Sequence, residues 1–426
     1  MTLPITTAFY LGLIAFQLSA QPLKQNDAAS QDWAILRRAG YTAFHAGRFA
    51  EAASDFEQAL ALARTPEQRA SALADSGYSL SELGRMKEAF EKLQPALSMW
   101  REIDARGTGA VQAAIWVGNA QRFLGEFAEA ERTLRIALDV SPRDDLDRAA
   151  VLRAIASLLQ EQGRSAEARE KFEAVLRLSP AAGANRMHAL LGLADTERAT
   201  REWQPAIEHL NEAITLAKQL GDAGGEAAAL RNLGNTYTQM GNFAKAEYLL
   251  RRAVAILEAM PALELQYEAT LVSVGSLYEA EKKLGLAEDA YTRALSRKGG
   301  LDAEDARSAL PLQYLAILWA NQKRFGEARD LANRAYRIMT AAFGARSIPS
   351  AGALGTIAVV ETLAGESDSA GRRYSESVDI MREDGVLNSD AALDVISEYA
   401  RALKTMRRRR DARAVEAQLK AFRRPN

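Results

Sequence analysis

The chain has 426 residues, of which 48% are hydrophobic, 26% charged and 7% aromatic. This composition is typical of an ordered protein, and the scarcity of proline, with 11 residues, favours helix throughout. Basic and acidic residues nearly balance, 54 against 55, so no overall charge draws the protein to nucleic acid or anionic lipid. The absence of cysteine excludes disulfides, thiolate metal sites and cysteine nucleophiles.

The first twenty residues form an apolar leader without a charged side chain, after which the sequence turns polar. Its apolar core, from about Ala8 to Phe16, is too short to span a bilayer, and Ala20 offers a cleavage site before Gln21. We interpret residues 1–20 as a signal peptide and 21–30 as a short N-terminal linker. This predicts a periplasmic or secreted protein without a stable membrane anchor. Because no Lys or Arg precedes the core, a cytoplasmic protein with an apolar leader is the alternative.

An internal repeat occupies the rest of the chain. Alanine recurs just after short turns, at spacings of 37 to 42 residues with a mean of 40, at Ala52, Ala89, Ala130, Ala168, Ala206, Ala246, Ala287, Ala328, Ala370 and Ala412. Twelve residues before each of these anchor alanines stands a second small residue, namely Gly40, Gly77, Gly118, Ala156, Ala194, Gly234, Gly275, Ala316, Ala358 and Ala400. Only the anchor alanines were used to define the register, so the second column is independent evidence for the repeat.

Larger apolar residues recur four positions before the second small column, as at Leu230 before Gly234. Residues three, four and seven apart share one face of a helix, so each unit is predicted to contain two amphipathic helices joined by a short turn. Small residues at the crossing of the two helices let the backbones approach closely, and a larger side chain there would push them apart.

One unit shows the pattern most clearly, and it combines the segment Leu230-Arg231-Asn232-Leu233-Gly234-Asn235-Thr236-Tyr237 with Gly241-Asn242-Phe243-Ala244-Lys245-Ala246, Leu250 and Ala253. This unit resembles the tetratricopeptide repeat. The resemblance extends over residues 31–422 and implies an all-α protein, an α-solenoid of about ten helix-turn-helix repeats in a right-handed superhelix with a concave groove. The mean period exceeds the 34 residues usual for the family and resembles the longer repeats of kinesin-light-chain-type arrays.

The tenth unit is predicted to cap the array. Its residue Glu416 occupies a position that is usually apolar, and the last helix of a solenoid needs a polar outer face because no repeat follows it. Residues 423–426 are then a short C-terminal tail. The turn of the fifth unit also departs from the pattern, since Arg201 stands in place of the turn glycine.

The sequence offers no recognisable catalytic or metal-binding motif. Its three histidines, His45, His188 and His209, include no pair with the spacing of a helical metal site, and no glycine-rich phosphate loop occurs. The repeats leave no length of chain for a catalytic domain. We therefore expect a protein that is not an enzyme and that needs no metal or cofactor, with a hydrolase using an unrecognised site as a remote alternative.

The resemblance implies that the first helix of each unit lines the groove. At the offsets expected to face it, arginine and asparagine predominate, and the candidate peptide-binding residues are Arg37, Asn119, Arg122, Arg153, Arg198, Arg231 and Asn235. Such side chains hydrogen-bond a peptide backbone and pair with carboxylates, which predicts a partner with an acidic segment or a C-terminal carboxylate. Later units carry Ile317, Ala320, Gly355 and Val359 at these offsets, which predicts a hydrophobic pocket or self-association.

These observations favour a protein–protein interaction scaffold or adaptor that is exported and binds a peptide segment or partner protein in its groove. The alternative is a peptide-responsive regulatory sensor of the cytoplasm, in which ligand binding changes the curvature of the array. The apolar leader favours the first interpretation. Neither interpretation involves nucleic acid.

Overall fold

The computed structural model describes residues 28–141, 146–179, 183–260, 263–296, 306–383, 386–387, 389–405 and 408–422. The predicted signal peptide, most of the predicted linker and the C-terminal tail lie outside these ranges. The described residues form twenty α-helices and no strand: α1 (Ala28–His45), α2 (Phe49–Leu62), α3 (Pro66–Glu82), α4 (Met86–Asp104), α5 (Thr108–Phe123), α6 (Phe127–Val140), α7 (Leu146–Glu161), α8 (Ser165–Leu178), α9 (Ala184–Ala199), α10 (Trp203–Leu220), α11 (Ala223–Gln239), α12 (Phe243–Glu258), α13 (Glu264–Ala280), α14 (Leu284–Ser296), α15 (Ala309–Asn321), α16 (Phe325–Phe343), α17 (Ile348–Leu363), α18 (Ser367–Glu383), α19 (Asp390–Thr405) and α20 (Arg409–Phe422).

The helices pair into ten units, from α1 with α2 to α19 with α20, and each pair packs against the next. The predicted all-α solenoid of ten repeats is therefore confirmed. Helix α1 begins at Ala28, three residues before the predicted start of the array, in a stretch of small residues compatible with helix. The length beyond the usual 34 residues is taken up partly by long helices, since α4 and α16 have 19 residues each.

The two small columns mark the crossing of the helices within a unit. Every anchor alanine lies on the second helix and is at most 1% exposed. On the first helix, a Cβ atom added at Gly118 would lie 2.7 Å from Leu134, and one at Gly234 would lie 2.7 Å from Leu250. In both units the partner stands four residues after the anchor alanine. The residues of the second column are small because a side chain of the neighbouring helix occupies the space next to their Cα atoms.

The turn inside each of the first nine units has one residue with positive φ. Gly241 adopts φ +76, and the amide of Asn242 donates to the Tyr237 carbonyl, which closes the end of α11 in the manner of a Schellman motif. Arg201, Lys282 and Lys323 occupy the same turn position with φ between 62 and 66. These three units keep the turn without the glycine that relieves its backbone strain.

The array curves with the first helices inside. Helices α5, α7, α9, α11, α13, α15, α17 and α19 each pack on the first helix of a neighbouring unit. Within the described ranges, successive second helices make no comparable contact. In a curved stack of helix pairs, the helices on the concave side lie closest to one another. The first helices therefore line the concave face, as the resemblance implied.

The predicted apolar stretch does not form an open groove. Ile317 and Val359 are 5% exposed and Ala320 is 2% exposed, and a Cβ at Gly355 would lie 3.0 Å from Val395. These residues are interior packing between units, so the expected exposed hydrophobic pocket is wrong at these positions. Among the helices described here, none is both long and apolar enough to cross a membrane.

Candidate functional site

A cavity of about 60 Å³ opens on the inner face of units three to six, where the first helices α5, α7, α9 and α11 come together. Eight of the eleven residues that line it are polar or charged, and the lining consists of Arg122, Arg153, Ser157, Gln160, Glu161, Phe172, His188, Leu191, Gly192, Asp195 and Asn232. Most of these residues lie one helical turn apart on their helices, which brings them to one face. The cavity is therefore a polar site built from four neighbouring repeats.

Arg122 closes one side of the cavity. It is 7% exposed, donates a hydrogen bond from Nη1 to Glu161, and stacks over the ring of Phe123 with Cζ 4.3 Å from the centroid. Its Nε has no hydrogen-bond partner among the described residues. Burial raises the pKa of Glu161, and the charge of Arg122 and its hydrogen bond oppose that shift. In this pair, the positive charge of Arg122 is balanced by the carboxylate of Glu161.

Arg153 lies beside Arg122 without a carboxylate of its own. No carboxylate in the described part of the chain forms an ion pair with it, and its Nε is buried without a hydrogen-bond partner. Burial lowers the pKa of Arg153 and the positive charge of Arg122 lowers it further, while the nearby Tyr78 opposes the shift. Arginine keeps its proton in proteins, so a cation without a counter-charge faces the cavity.

His188 forms the wall next to Arg153. Its Nε2 is buried and has no hydrogen-bond partner in the described residues. Burial, together with the positive charge of Arg153, lowers the pKa of His188 to about 3. The ring is therefore neutral near neutral pH.

Asp195 holds the opposite wall together. Its carboxylate accepts hydrogen bonds from Asn232 at 3.2 and 3.3 Å and from Arg198 at 3.3 Å. Arg231 in turn donates to the Asn232 amide oxygen at 3.2 Å. Asp195, Asn232 and Arg231 are each at most 6% exposed. The carboxylate of Asp195 is already used within the wall, so it does not neutralise Arg153.

An aromatic stack continues from the cavity toward the N-terminus. The rings of Phe44, Tyr78 and Trp116, from α1, α3 and α5, are stacked with centroids 5.2 and 4.9 Å apart. All three are half-buried. Tyr78 is also the aromatic residue whose charge interaction reaches Arg153, so the stack and the cationic cavity adjoin.

The seven candidate groove residues have different positions. Arg122 and Arg153 line the cavity, and Arg198 and Arg231 hold its wall through Asp195 and Asn232. Arg37 lies apart, paired with the buried Asp75 at 2.7 Å. The remaining two, Asn119 and Asn235, are half-buried on α5 and α11 outside the cavity lining.

The sequence pattern missed His188 and the aromatic stack. His188 stands one helical turn before Leu191, which occupies a groove offset, so the helical period could have placed it on the inner face. The three aromatic residues stand at different offsets from their anchors, and no single column contains them. In the described ranges, no group of three or more acidic or histidine side chains is arranged to hold a metal ion.

The tetratricopeptide repeat family model matches residues 185–259. This segment runs from the second residue of α9 to just beyond the end of α12 and includes the wall residues His188, Asp195 and Asn232. A solved structure of a Rap protein complexed with competence and sporulation factor superimposes with a TM-score of 0.55, at 15% identity, over 92% of this chain and 98% of that one. The chain has the tetratricopeptide-repeat fold.

Two other tetratricopeptide structures match shorter parts of the solenoid. A kinesin light chain protein from Podosopora anserina covers 46% of this chain and 96% of its own, at 18% identity and a TM-score of 0.38. A repeat protein from Parabacteroides merdae covers 62% of this chain and 93% of its own, at 16% identity and a TM-score of 0.44. No curated protein matches the sequence.

Proposed function

We propose that this tetratricopeptide solenoid is a non-catalytic scaffold or adaptor that binds an acidic, extended segment of a partner protein on its inner face. The observation that carries the proposal is the position of Arg153, a cation at the cavity without an ion-pair partner among the described carboxylates. A Rap protein of the same fold was solved with competence and sporulation factor bound, which supports ligand binding as a use of the fold.

The cavity favours an anion over other ligands. A buried cation without a counter-charge is costly, and a carboxylate brought by a ligand would offset that cost. Arg153 supplies charge-assisted hydrogen bonds to an anion. The neutral His188 beside it adds a ring nitrogen and no negative charge that would repel the anion. One aspartate or glutamate side chain, or a C-terminal carboxylate, fits these groups.

The aromatic stack extends the binding surface beyond one carboxylate. Phe44, Tyr78 and Trp116 offer apolar faces next to the cationic cavity. Aromatic and arginine side chains together provide most of the binding energy in many protein interfaces. A segment that lies along the inner face would place its acidic residue at Arg153 and apolar residues along the stack.

Binding of a fluorescein-labelled octaglutamate peptide, followed by fluorescence anisotropy, tests this proposal. Arg153→Gln removes the cation and keeps a polar side chain, so we expect the Kd to rise at least about tenfold, since hydrogen bonds to charged groups contribute ~1.5–3 kcal/mol. The matched control is Arg132→Gln, which removes an exposed arginine on the second helix α6 that pairs with Glu129. Equal loss of binding in both variants would contradict the assignment of the cavity.

We also propose that the protein is exported through the leader at residues 1–20. The proposal rests on the uncharged apolar stretch and the cleavage site before Gln21. Mass spectrometry of the protein isolated from its native cells gives the mature N-terminus. A start at Gln21 is the expected result, and an intact leader would favour the cytoplasmic sensor instead.

A further inference from the structure

Positive charge is concentrated in the tenth unit of the solenoid. Between Arg401 and Arg424 the sequence has ten basic and two acidic residues, a net charge of +8. The rest of the chain has 44 basic and 53 acidic residues, so the formal net charge of -1 hides a strong local excess. An uneven distribution of charge of this kind indicates an anionic partner for the basic segment.

Four of these basic residues form one exposed side of α20. We call this side the basic face, and it consists of Arg409, Arg410, Arg413 and Lys420. All four side chains are exposed, whereas the anchor Ala412 is buried against the rest of its unit. With 3.6 residues in each helical turn, Arg409, Arg413 and Lys420 lie within about 40° of one another and span about 16 Å along the helix. The four cations therefore point to one side of the molecule.

The charges of the basic face are not balanced by neighbouring carboxylates. None of its four residues forms an ion pair with any residue that the structure describes. The nearby carboxylates are paired with other basic residues, namely Glu398 with Arg401, Asp411 with Arg408 and Glu416 with Lys404. The basic face therefore keeps four positive charges for a partner.

Ion pairs between units show what Arg413 lacks. In the middle of the array, the residue just after an anchor alanine pairs with the residue four before the next anchor. Four such pairs are Glu131 with Arg164, Arg169 with Glu202, Glu288 with Arg324 and Arg329 with Glu366. Arg413 has the first of these positions in the tenth unit, and the described ranges contain no following unit to balance it. Its charge is therefore left over at the end of the column.

The basic face is unsuited to packing against a further repeat. The residue three before the anchor is large and apolar in seven of the nine earlier units, as at Phe243, and is Arg409 in the tenth. The residue eight after the anchor is apolar or aromatic in all nine, as at Leu60, which packs with Ala72 of the next unit. In the tenth unit this residue is Lys420. Cations thus replace the apolar side chains that a following unit would contact.

Other protein partners fit the basic face poorly. A second copy stacked end to end would place Arg413 against Arg48, which holds the matching position of the ion-pair column in the first unit, and like charges would oppose that contact. Interfaces with other proteins depend on aromatic and large apolar side chains at their centre. Between its cations, α20 exposes Ala414 and Ala417, which are too small to act as such anchors.

We propose that the basic face of α20 docks this end of the solenoid on a membrane surface rich in anionic lipid headgroups. A lipid surface requires no pocket and no fixed register from the protein, and each Lys or Arg near it strengthens binding roughly fivefold. The long stems of arginine and lysine carry their charges past the small alanines to the headgroups. This site lies four units beyond the cavity of units three to six, so it is separate from the peptide site proposed above.

Sedimentation of the full chain with lipid vesicles tests the proposal. One set of vesicles contains phosphatidylglycerol and phosphatidylcholine in equal amounts, and the other contains phosphatidylcholine alone. We expect binding to the anionic vesicles, with loss of binding as the salt concentration rises, because salt screens exposed charges. Binding through the apolar leader would not need anionic lipid, so the phosphatidylcholine vesicles control for it.

Two variants of equal net charge identify the face that binds. The first combines Arg409→Gln, Arg410→Gln, Arg413→Gln and Lys420→Gln, and we expect its affinity for anionic vesicles to fall at least about tenfold. The matched control removes four exposed, ion-paired cations from the second helices α6, α8 and α12, by combining Arg132→Gln, Arg135→Gln, Arg177→Gln and Arg251→Gln. Circular dichroism checks that both variants fold. The proposal is overturned if both variants lose equal affinity, if the first loses none, or if the unchanged protein does not bind anionic vesicles.

The remaining arms distinguish the lipid surface from other polyanions. Octaglutamate and a DNA duplex of mixed sequence are compared with the vesicles in the Arg153→Gln background, so that the cavity does not contribute. If either binds the basic face more tightly than the vesicles do, per negative charge, then an acidic protein or a nucleic acid is the partner and the membrane assignment is wrong. Arg153→Gln alone should leave vesicle binding unchanged, and a loss there would contradict a site separate from the cavity.

Discussion

The ring of Tyr291 lies against the backbone of Gly275, so that a Cβ atom at this glycine would be only 2.2 Å from Cε1 of the tyrosine. Gly275→Ala is therefore expected to lower the free energy of unfolding by about 1–3 kcal/mol, through overpacking at the helix crossing. The sign is opposite to the usual effect of alanine in a helix, which stabilises by about 0.5–1 kcal/mol. Urea unfolding measures the difference.

Gly285, in the second helix of the same unit, provides the control for that substitution. A Cβ there would meet nothing within 4 Å. Gly285→Ala should therefore stabilise the protein by about 0.5–1 kcal/mol, because only the helix preference acts. If both alanine variants stabilised the protein, the close crossing at Gly275 would be refuted.

Lys323 carries backbone strain in the turn between α15 and α16. Its φ is +66, a conformation that costs a residue with a Cβ about 1–2 kcal/mol relative to the right-handed region. Lys323→Gly is expected to raise the free energy of unfolding by about 1 kcal/mol. Gly241→Ala provides the reverse change in an open turn, where φ is +76 and nothing lies within 4 Å, and it should destabilise by a similar amount. Equal signs for the two changes would contradict this account.

Helix α4 contacts α16 of the eighth unit, and Glu82, at the end of α3 just before α4, makes the stability of the protein sensitive to pH. Burial raises the pKa of Glu82 from 4.5 to about 8, against the effects of the Tyr78 hydrogen bond and the Arg307 charge. In this range the folded protein keeps a proton that the unfolded chain releases, so the free energy of unfolding falls as the pH rises from about 4.5 to 8. Glu82→Gln should thus be neutral below pH 4.5 and stabilising by about 1–3 kcal/mol above pH 8.

An exposed glutamate nearby should behave in the opposite way. The hydrogen bond from Arg85 lowers the pKa of Glu88, so its contribution to stability is present above its unfolded pKa and is lost at lower pH. Glu88→Gln is expected to be slightly destabilising at neutral pH and neutral in acid. Unfolding curves of both variants from pH 4 to 9 distinguish the two cases, and parallel pH profiles would contradict the burial of Glu82.

The pKa of His188 is sensitive to the charges around the cavity. Because Arg153 contributes to its lowered pKa, Arg153→Gln should raise the pKa of His188 from about 3 toward the ordinary 6.5, with burial keeping it below that value. Bound octaglutamate should raise the pKa of His188 as well, since a carboxylate stabilises the protonated ring. The chain has three histidines, so NMR titration can follow each ring separately.

His209 is the internal control in the same spectra. A hydrogen bond with Glu197 at 2.9 Å raises the pKa of His209, and this pair lies outside the cavity lining. Neither Arg153→Gln nor the peptide should change it. An equal change at His188 and His209 would indicate a general effect and would remove the case for an anion at Arg153.

The register of the repeat was predictable from the sequence because it depends on contacts between adjacent helices. Small residues such as Gly234 and Ala246 recur wherever two helices cross, so one column identifies all ten units. Turn conformation was harder to predict. In the sequence, Arg201 in place of the turn glycine suggested that the fifth unit is weak. Its φ of +62 nevertheless matches that of the turn glycines, because the packing of the flanking helices fixes the backbone.

The site was only partly predictable. The offsets from the anchor alanines placed Arg122 and Arg153 on the inner face, but the pairing of Arg122 with Glu161 and the lack of a partner for Arg153 depend on side-chain positions across units. The contact between the second and eighth units, where a Cβ atom at Gly84 would lie 3.5 Å from that of Ala306, left no pattern in the repeat. It depends on the accumulated twist of six units, to which small changes in each packing angle contribute.

The same contact affects how the array unfolds. In a solenoid held only by neighbouring units, stability is a sum of local terms, and the ends can fray without disturbing the middle. The contact between α4 and α16 adds one link between distant repeats. Fraying that starts at the N-terminus must break this link as soon as the second unit is lost, and fraying from the C-terminus must break it on reaching the eighth. Units two to eight then form one cooperative block, with the outer units as the first to melt.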